Sequence, residues 1–253
     1  MVRRATAKDR PDAPAARIAA GTRLYAIGDS HGCLAPLRAL HEAILADAAA
    51  APATKRRVVV YLGDYVDRGP ASRELLDLLI EAPLPGFECV HLMGNHDALM
   101  RDVLAGDGDA LLWLGNGGDA AVRSYGVDIA ALREAADPLA ELGRALAARV
   151  PASHRRFLAG LRLSHVEGDY LFVHAGIRPG LPLAAQVERD LLWIREPFLS
   201  STADHGKIVV HGHTPALAPQ VRANRIGIDT GACYGGWLTA LVLDGDSRRF
   251  LRV

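Results

Sequence analysis

Apolar residues along the chain fall into two alternating patterns. Short runs such as "RLYAIG" (23–28), "RRVVVYLG" (56–63) and "ECVHLMG" (88–94) have the density of buried strands. Each is followed by a stretch in which Leu and Ala recur at helical spacing: "LAPLRALHEAILADAA", "SRELLDLLIEA" and "DALMRDVLAG". Three strand–loop–helix units in succession predict parallel strands in an α/β sandwich. Residues 107–160 change character: "WLGNGGDAAVRSYG" and "DPLAELGRALAARV" read as short helices and loops, an insertion above the core. Strand-like runs return at "DYLFVHAG" (169–176), "KIVVHGHT" (207–214), "NRIGIDTG" (224–231) and "WLTALVLDG" (237–245). Hairpin spacing near the end predicts antiparallel pairing there.

Composition narrows the class. The chain has 253 residues, 50% of them hydrophobic, and no linker divides it. One domain over 21–253 is expected, preceded by a flexible tail over 1–20, where "MVRRATAKDRPDAPAARIAAG" is rich in Ala and Pro. The tail lacks the apolar centre of a signal peptide, and no run is long enough for a membrane span. A formal net charge of zero gives no reason to expect a stable nucleic-acid partner. Cys33, Cys89 and Cys233 are odd in number and form no C-x-x-C pair, so the expected compartment is a reducing cytoplasm.

The polar chemistry concentrates at strand ends. Asp29 and His31 follow the first strand, and Asp64, Asp67 and Arg68 the second. Asn95, His96 and Asp97 follow the third, then His174, and finally His211 and His213. Singly, each has an ordinary reading as a turn residue or a local Asp–Arg pair. Together they lie where open α/β sheets build sites, outside the carboxyl ends of the strands. Carboxylates, imidazoles and an amide oxygen suit borderline divalent metals. A carboxylate can bridge two such ions about 3.5–4 Å apart, which also makes hydroxide available near neutral pH.

The blocks "GDSHG", "GDYVDRG", "GNHD", the later His174 and "HGHT" resemble the calcineurin-like metallophosphoesterases, specifically the bacterial branch of the phosphoprotein phosphatases. The match spans residues 28–214. It implies a central β-sandwich flanked by helices and two divalent ions, with Mn²⁺ expected and Fe, Zn, Co or Ni possible. By this resemblance Asp29 and His31 bind one ion with the bridging Asp64, and Asn95, His174 and His213 bind the other. His96 acts as general acid, held by Asp67, and Arg68 clamps the substrate phosphate. "DLLWIRE" is similar to the segment that supplies a second phosphate-binding arginine, Arg195, and "DTGACYGG" to a loop that brings Tyr234 to the site or packs it. His211 departs from the family's usual apolar residue and is read as structural.

The implied activity is hydrolysis of phosphomonoesters, foremost phosphoserine and phosphothreonine in proteins or a small phosphoester. The alternative is hydrolysis of dinucleoside tetraphosphates, and the third reading is a binding module that kept the fold without activity. The sequence leaves the oligomeric state open.

Overall fold

Strand β2, Arg56–Tyr61, is apolar on both faces along its last four residues. Val58 and Val60 join a core between two sheets, whereas Val59 and Tyr61 join a second core under the helices. A strand covered on both sides in this way belongs at the centre of a layered α/β fold. The computed structural model describes residues 16–51, 54–132 and 134–253. Strands β1 (Thr22–Ile27) and β3 (Glu88–His91) flank β2 in parallel. The second sheet contains β4 (Ser164–Glu167), β5 (Tyr170–Val173), β6 (Ile208–His211), β7 (Gln220–Val221) and β8 (Arg225–Gly227). Its order is β4-β5-β6-β8-β7, with β5, β6 and β8 parallel and both edge strands antiparallel. The chain then returns to the first sheet as β9 (Thr239–Asp244) and β10 (Ser247–Arg252), giving the order β10-β9-β1-β2-β3. Both additions are antiparallel, but the hairpin is β9–β10: the last two expected strands, β8 and β9, lie in different sheets and do not pair. The architecture is the expected sandwich of two mixed sheets flanked by helices.

Helices α1 (Leu34–Ala49), α2 (Ser72–Glu81) and α3 (Asn95–Ala105) follow β1, β2 and β3. They bury Leu37, Leu40, Leu75, Leu79, Met100 and Val103 against the outer face of the first sheet. Helix α3 begins two residues before the expected Asp97. Gly94 is its N-cap, and Asp97 takes the Gly94 N–H at 2.9 Å, so Asn95 and His96 lie in the first helical turn.

The insertion is helical, as expected. It comprises α4 (Ala110–Trp113), a π-helical turn (Leu114–Gly118), α5 (Asp119–Ser124), α6 (Ile129–Leu132), α7 (Pro138–Arg149) and α8 (Ala152–Ala159). It does not stand apart above the core: Trp113, Leu142, Leu146 and Leu158 are buried in the same cluster as α1 and α2. Helix α9 (Glu188–Trp193) lies on the second sheet, where Leu191 packs with Val173 and Val209.

Of the expected tail, residues 1–15 lie outside the described residues. Residues 16–20 are a correction to that expectation. Ile18 is buried with the intersheet core and donates its N–H to Gly245 O at 3.0 Å, and Tyr170 O–H donates to Ala16 O. Among the described residues no helix is long and apolar enough to cross a membrane.

Candidate metal centre

The turns after β1, β2, β3, β5 and β6 meet at one edge of the two sheets. Asp29, His31, Asp64, Asn95, His96, His174 and His213 are all buried there. Backbone conformation marks the place independently. Among the described residues five non-glycines have positive φ: His31 at 41°, Asp64 at 53°, Asp67 at 74°, Arg68 at 61° and His213 at 63°. Each left-handed residue costs on the order of 1 kcal/mol and persists only where its surroundings hold it. His31 N–H donates to Asp64 O at 2.8 Å, Gly32 N–H to Tyr65 O at 2.8 Å and Gly69 N–H to His31 O at 3.0 Å. The first and second turns are thereby laced together. Asp97 ties the third turn to the second by accepting the N–H groups of Gly94 (2.9 Å), Asp64 (2.7 Å) and Tyr65 (3.0 Å). These turns approach so closely that a Cβ on Gly63 would collide with the Gly94 backbone.

Two clusters with metal-ligand spacing result, His31–Asp64–His96 and Asp64–His174–His213, with donor atoms within 4.8 Å of one another. Asp64 belongs to both. Its Oδ1 accepts the His96 N–H at 3.0 Å, while Oδ2 lies 3.3 Å from His31 Nε2 and 3.5 Å from His174 Nε2. Asn95 Oδ1 joins the second cluster, 2.9 Å from both His174 Nε2 and His213 Nδ1. The first cluster takes its third member from His96, where the sequence reading had Asp29. Asp29 stands beside it: its Oδ2 accepts the His213 N–H at 2.9 Å, and its Oδ1 is buried without a partner.

The tautomers test whether cations fit. His31 Nδ1–H donates to Val66 O at 2.8 Å, and His174 Nδ1–H donates to Leu62 O at 3.0 Å. Each therefore presents an Nε2 lone pair to its cluster. The His31 lone pair lies 3.3 Å from Asp64 Oδ2 and takes a bond from the Arg68 guanidinium at 2.6 Å, whereas the His174 lone pair faces two acceptors, Asn95 Oδ1 and Asp64 Oδ2. Acceptors facing acceptors in a buried site, beside an orphaned Asp29 oxygen, are satisfied by positive charge. The donor set thus fits two divalent ions sharing Asp64.

Electrostatics separate the four imidazoles. Burial pushes His31 and His213 down to about 3 and lowers His174, which favours the neutral, lone-pair-bearing form of all three. For His96 burial also works downwards, but the charges of Asp64 and Asp67 outweigh it and raise it. Its Nδ1–H donates to Asp67 Oδ2 at 2.7 Å, so Nε2 is the ring nitrogen left to the cluster. Burial likewise opposes the charge on Asp64, and the imidazoles of His174, His96, His31 and His213 overcome it and hold the carboxyl low.

Arg68 donates to His31 Nε2 at 2.6 Å, and its guanidinium lies 5.4 Å from the centre of the Tyr234 ring. It is not the local Asp–Arg pair of a simple turn: the ionic partners of Asp64 and Asp67 are imidazoles. Arg195, exposed just after α9, is near enough to act on His213 and Asp229 through its charge. Tyr234 is 64% exposed, so it is not a packing residue. His211 is buried, takes a bond from Arg225 at 3.3 Å and packs edge-on against Phe198 at 5.1 Å, a structural placement behind the centre. Three residues at the site had no role in the sequence reading. Asp97 was visible as the acid three positions after a glycine N-cap. Asp229, pushed up to about 6 by burial, follows β8 as one more strand-end carboxylate and acts on Asp29. Trp113 gave no local signal.

Comparisons with known proteins agree with this geometry. The sequence profile described as Calcineurin-like phosphoesterase matches residues 22–236. Serine/threonine-protein phosphatase 1 of Salmonella typhimurium is 32% identical over 224 residues, covering 85% of this chain and 89% of that protein. The asymmetrical bis(5'-nucleosyl)-tetraphosphatase PrpE of Bacillus thuringiensis is 29% identical over 231 residues, covering 85% and 88%. A solved structure provisionally described as a diadenosine tetraphosphatase superposes with a TM-score of 0.57 at 24% identity, covering 94% of this chain and 98% of that one. With its two clusters joined at Asp64 and a fold of two mixed sheets, the chain is a phosphoric ester hydrolase and belongs to the calcineurin-like phosphoesterase family.

Proposed function

We propose that the substrate is a dinucleoside tetraphosphate. The observation that carries this reading is a pair of exposed aromatic rings at the rim of a buried phosphate site. Tyr234 stacks on Arg68 on the side of the first cluster. Trp193, 38% exposed, has its ring 6.2 Å from that of His213 on the side of the second. Nucleobases stack on such rings with about 1–3 kcal/mol per base, and a phosphoserine side chain has no group to use them. The similarity to proteins named bis(5'-nucleosyl)-tetraphosphatases supports the same reading. A second reading, phosphoserine and phosphothreonine in proteins, is favoured by the 32% identity to a Ser/Thr phosphatase.

In the proposed mechanism His31 and Asp64 would hold one divalent ion, with the unpartnered Asp29 Oδ1 beside them as a further ligand, and Asp64, Asn95, His174 and His213 would hold the other. Bound there, the ions supply Lewis acidity to a phosphoryl oxygen and lower the pKa of water. Arg68 and Arg195 hold phosphate oxygens and orient the chain for displacement at one phosphorus. His96, charged and anchored by Asp67, gives the Nε2 proton to the leaving oxygen. Carboxylate, imidazole and amide ligands suit Mn²⁺ and its borderline neighbours. The free cysteines support a reducing compartment.

The test is turnover with Mn²⁺ on diadenosine tetraphosphate, p-nitrophenyl phosphate, and phosphoserine, phosphothreonine and phosphotyrosine peptides. The dinucleotide is expected to have the highest kcat/KM, by about ten-fold, which is about 1.4 kcal/mol. A higher kcat/KM on phosphoserine peptides would reject this substrate in favour of the second reading.

A further inference from the structure

The run "WLGNGG" (113–118) lies in the insertion, far in sequence from every strand end, yet it touches the second turn twice. Trp113 is fully buried, and its Nε1–H spans the Asp67 carboxylate, 3.1 Å from Oδ1 and 3.0 Å from Oδ2. Asp67 Oδ2 also takes the His96 Nδ1–H, and the Asp67 N–H donates to Ser72 Oγ at 3.0 Å. The turn that follows Trp113 is π-helical, with a kink at Gly117 where φ is 99°. Such turns interrupt helices frequently at functional sites. Gly117 O accepts the Arg68 N–H at 3.0 Å, and a Cβ on Gly117 would stand 2.9 Å from Arg68 Cγ. A Cβ on Gly118 would stand 2.7 Å from three atoms of the Trp113 indole. Each glycine thus makes room for one contact with the "VDRG" turn.

We propose that residues 113–118 are part of the catalytic apparatus, with Trp113 a positioning residue for the Asp67–His96 dyad and Gly117 one for the Arg68 backbone. A carboxylate fixed by a single side-chain bond turns about Cβ–Cγ and takes its imidazole partner with it. An indole N–H spanning both oxygens stops that rotation, so His96 Nε2 stays aimed at the leaving oxygen. As the oxygen of water bonds to phosphorus and the P–O bond to the leaving group breaks, the leaving oxygen takes the Nε2 proton. His96 is left neutral with its Nδ1–H still on Asp67, and the proton given up by the attacking water restores it through solvent. The inference rests on the reading of His96 as general acid, and the experiment separates the two.

Trp113→Phe keeps a buried ring and deletes the N–H. With the Mn²⁺-loaded full chain, kcat is measured on phenyl phosphate, whose leaving group needs a proton, and on p-nitrophenyl phosphate, whose leaving group hardly does. The expected result is a loss of about ten-fold on phenyl phosphate and less than two-fold on p-nitrophenyl phosphate, with KM and metal content unchanged. Combined with Asp67→Asn, Trp113→Phe should add no further loss. Gly118→Ala, which displaces the indole without shrinking it, should give the same asymmetry. His96→Asn is the control: equal loss on both substrates would overturn the general-acid reading itself. If His96→Asn is asymmetric while Trp113→Phe and Gly118→Ala lose nothing or lose equally on both substrates, Trp113 only packs and the proposal fails.

Discussion

Asp97 holds the centre together without reaching a substrate, and its removal should be among the costliest single changes in the chain. Its Oδ2 accepts the N–H groups of Asp64 and Gly94, and its Oδ1 that of Tyr65. Asp97→Ala leaves three buried donors without partners, at about 1–3 kcal/mol each. Taking the lower half of that range, the loss is about 4 kcal/mol, a large share of the roughly 5–15 kcal/mol that stabilises a domain. Asp97→Asn should be milder. Burial and the Asp64 charge push the carboxyl up against the three donors, so its surroundings already disfavour the charge that the substitution removes. The Asn oxygen keeps the Asp64 and Gly94 bonds while its NH₂ meets the Tyr65 N–H, a cost of about 1 kcal/mol. Urea unfolding measures both, with a slope of about 2–3 kcal/mol/M, so the Ala midpoint should fall by about 1.5 M. Metal content should fall in the Ala variant, whose Asp64 turn is no longer tied to Gly94, and stay near the wild-type level in the Asn variant, which keeps that tie. An Ala variant within about 1 kcal/mol of wild type, or one more stable than Asn, would refute the reasoning.

Two further outcomes are expected. Asp64→Asn removes the charge common to both clusters, so metal content by elemental analysis and turnover should fall together; full turnover of the wild type after exhaustive chelation would contradict the two-metal reading. His41, buried with the Tyr61 O–H donating to its Nε2 at 2.9 Å, is pushed down to about 4 by burial. Its folded pKa lies below the unfolded value of about 6.5, so its contribution is full above pH 6.5 and is lost towards pH 4 at up to about 1.4 kcal/mol per unit, and parallel wild-type and His41→Gln stability profiles from pH 7 to 5 would exclude it.

Local pattern carried the sequence a long way. A run such as "VVVYL" must be covered on both sides, and a glycine-led turn of carboxylates after it must sit at a sheet end. That reasoning reached β1, β2, β3, β5, β6, β8 and β9 and the blocks that converge on the centre. It could not reach β10, "SRRFLR", because a strand with three arginines carries no apolar alternation. Its identity comes from pairing with β9, whose residues it follows closely enough to form a hairpin. Nor could it reach residues 16–20, whose one large apolar residue, Ile18, is held by Gly245 from the far end of the chain.

Within the site, residue type and order determined which side chains could bind metal, since ligand chemistry is local to each residue. Tertiary structure decided how they divide the work. His31, His174 and His96 are the same residue, yet bonds to Val66 O and Leu62 O make the first two lone-pair donors, whereas the charges of Asp64 and Asp67 favour the protonated form of the third. The indole of Trp113 reaches Asp67 across 46 residues. Tyr234 is exposed over the Arg68 guanidinium rather than packed in a core. Hydrogen bonds of that range depend on where distant strands pair, and no period of two or of 3.6 residues encodes them.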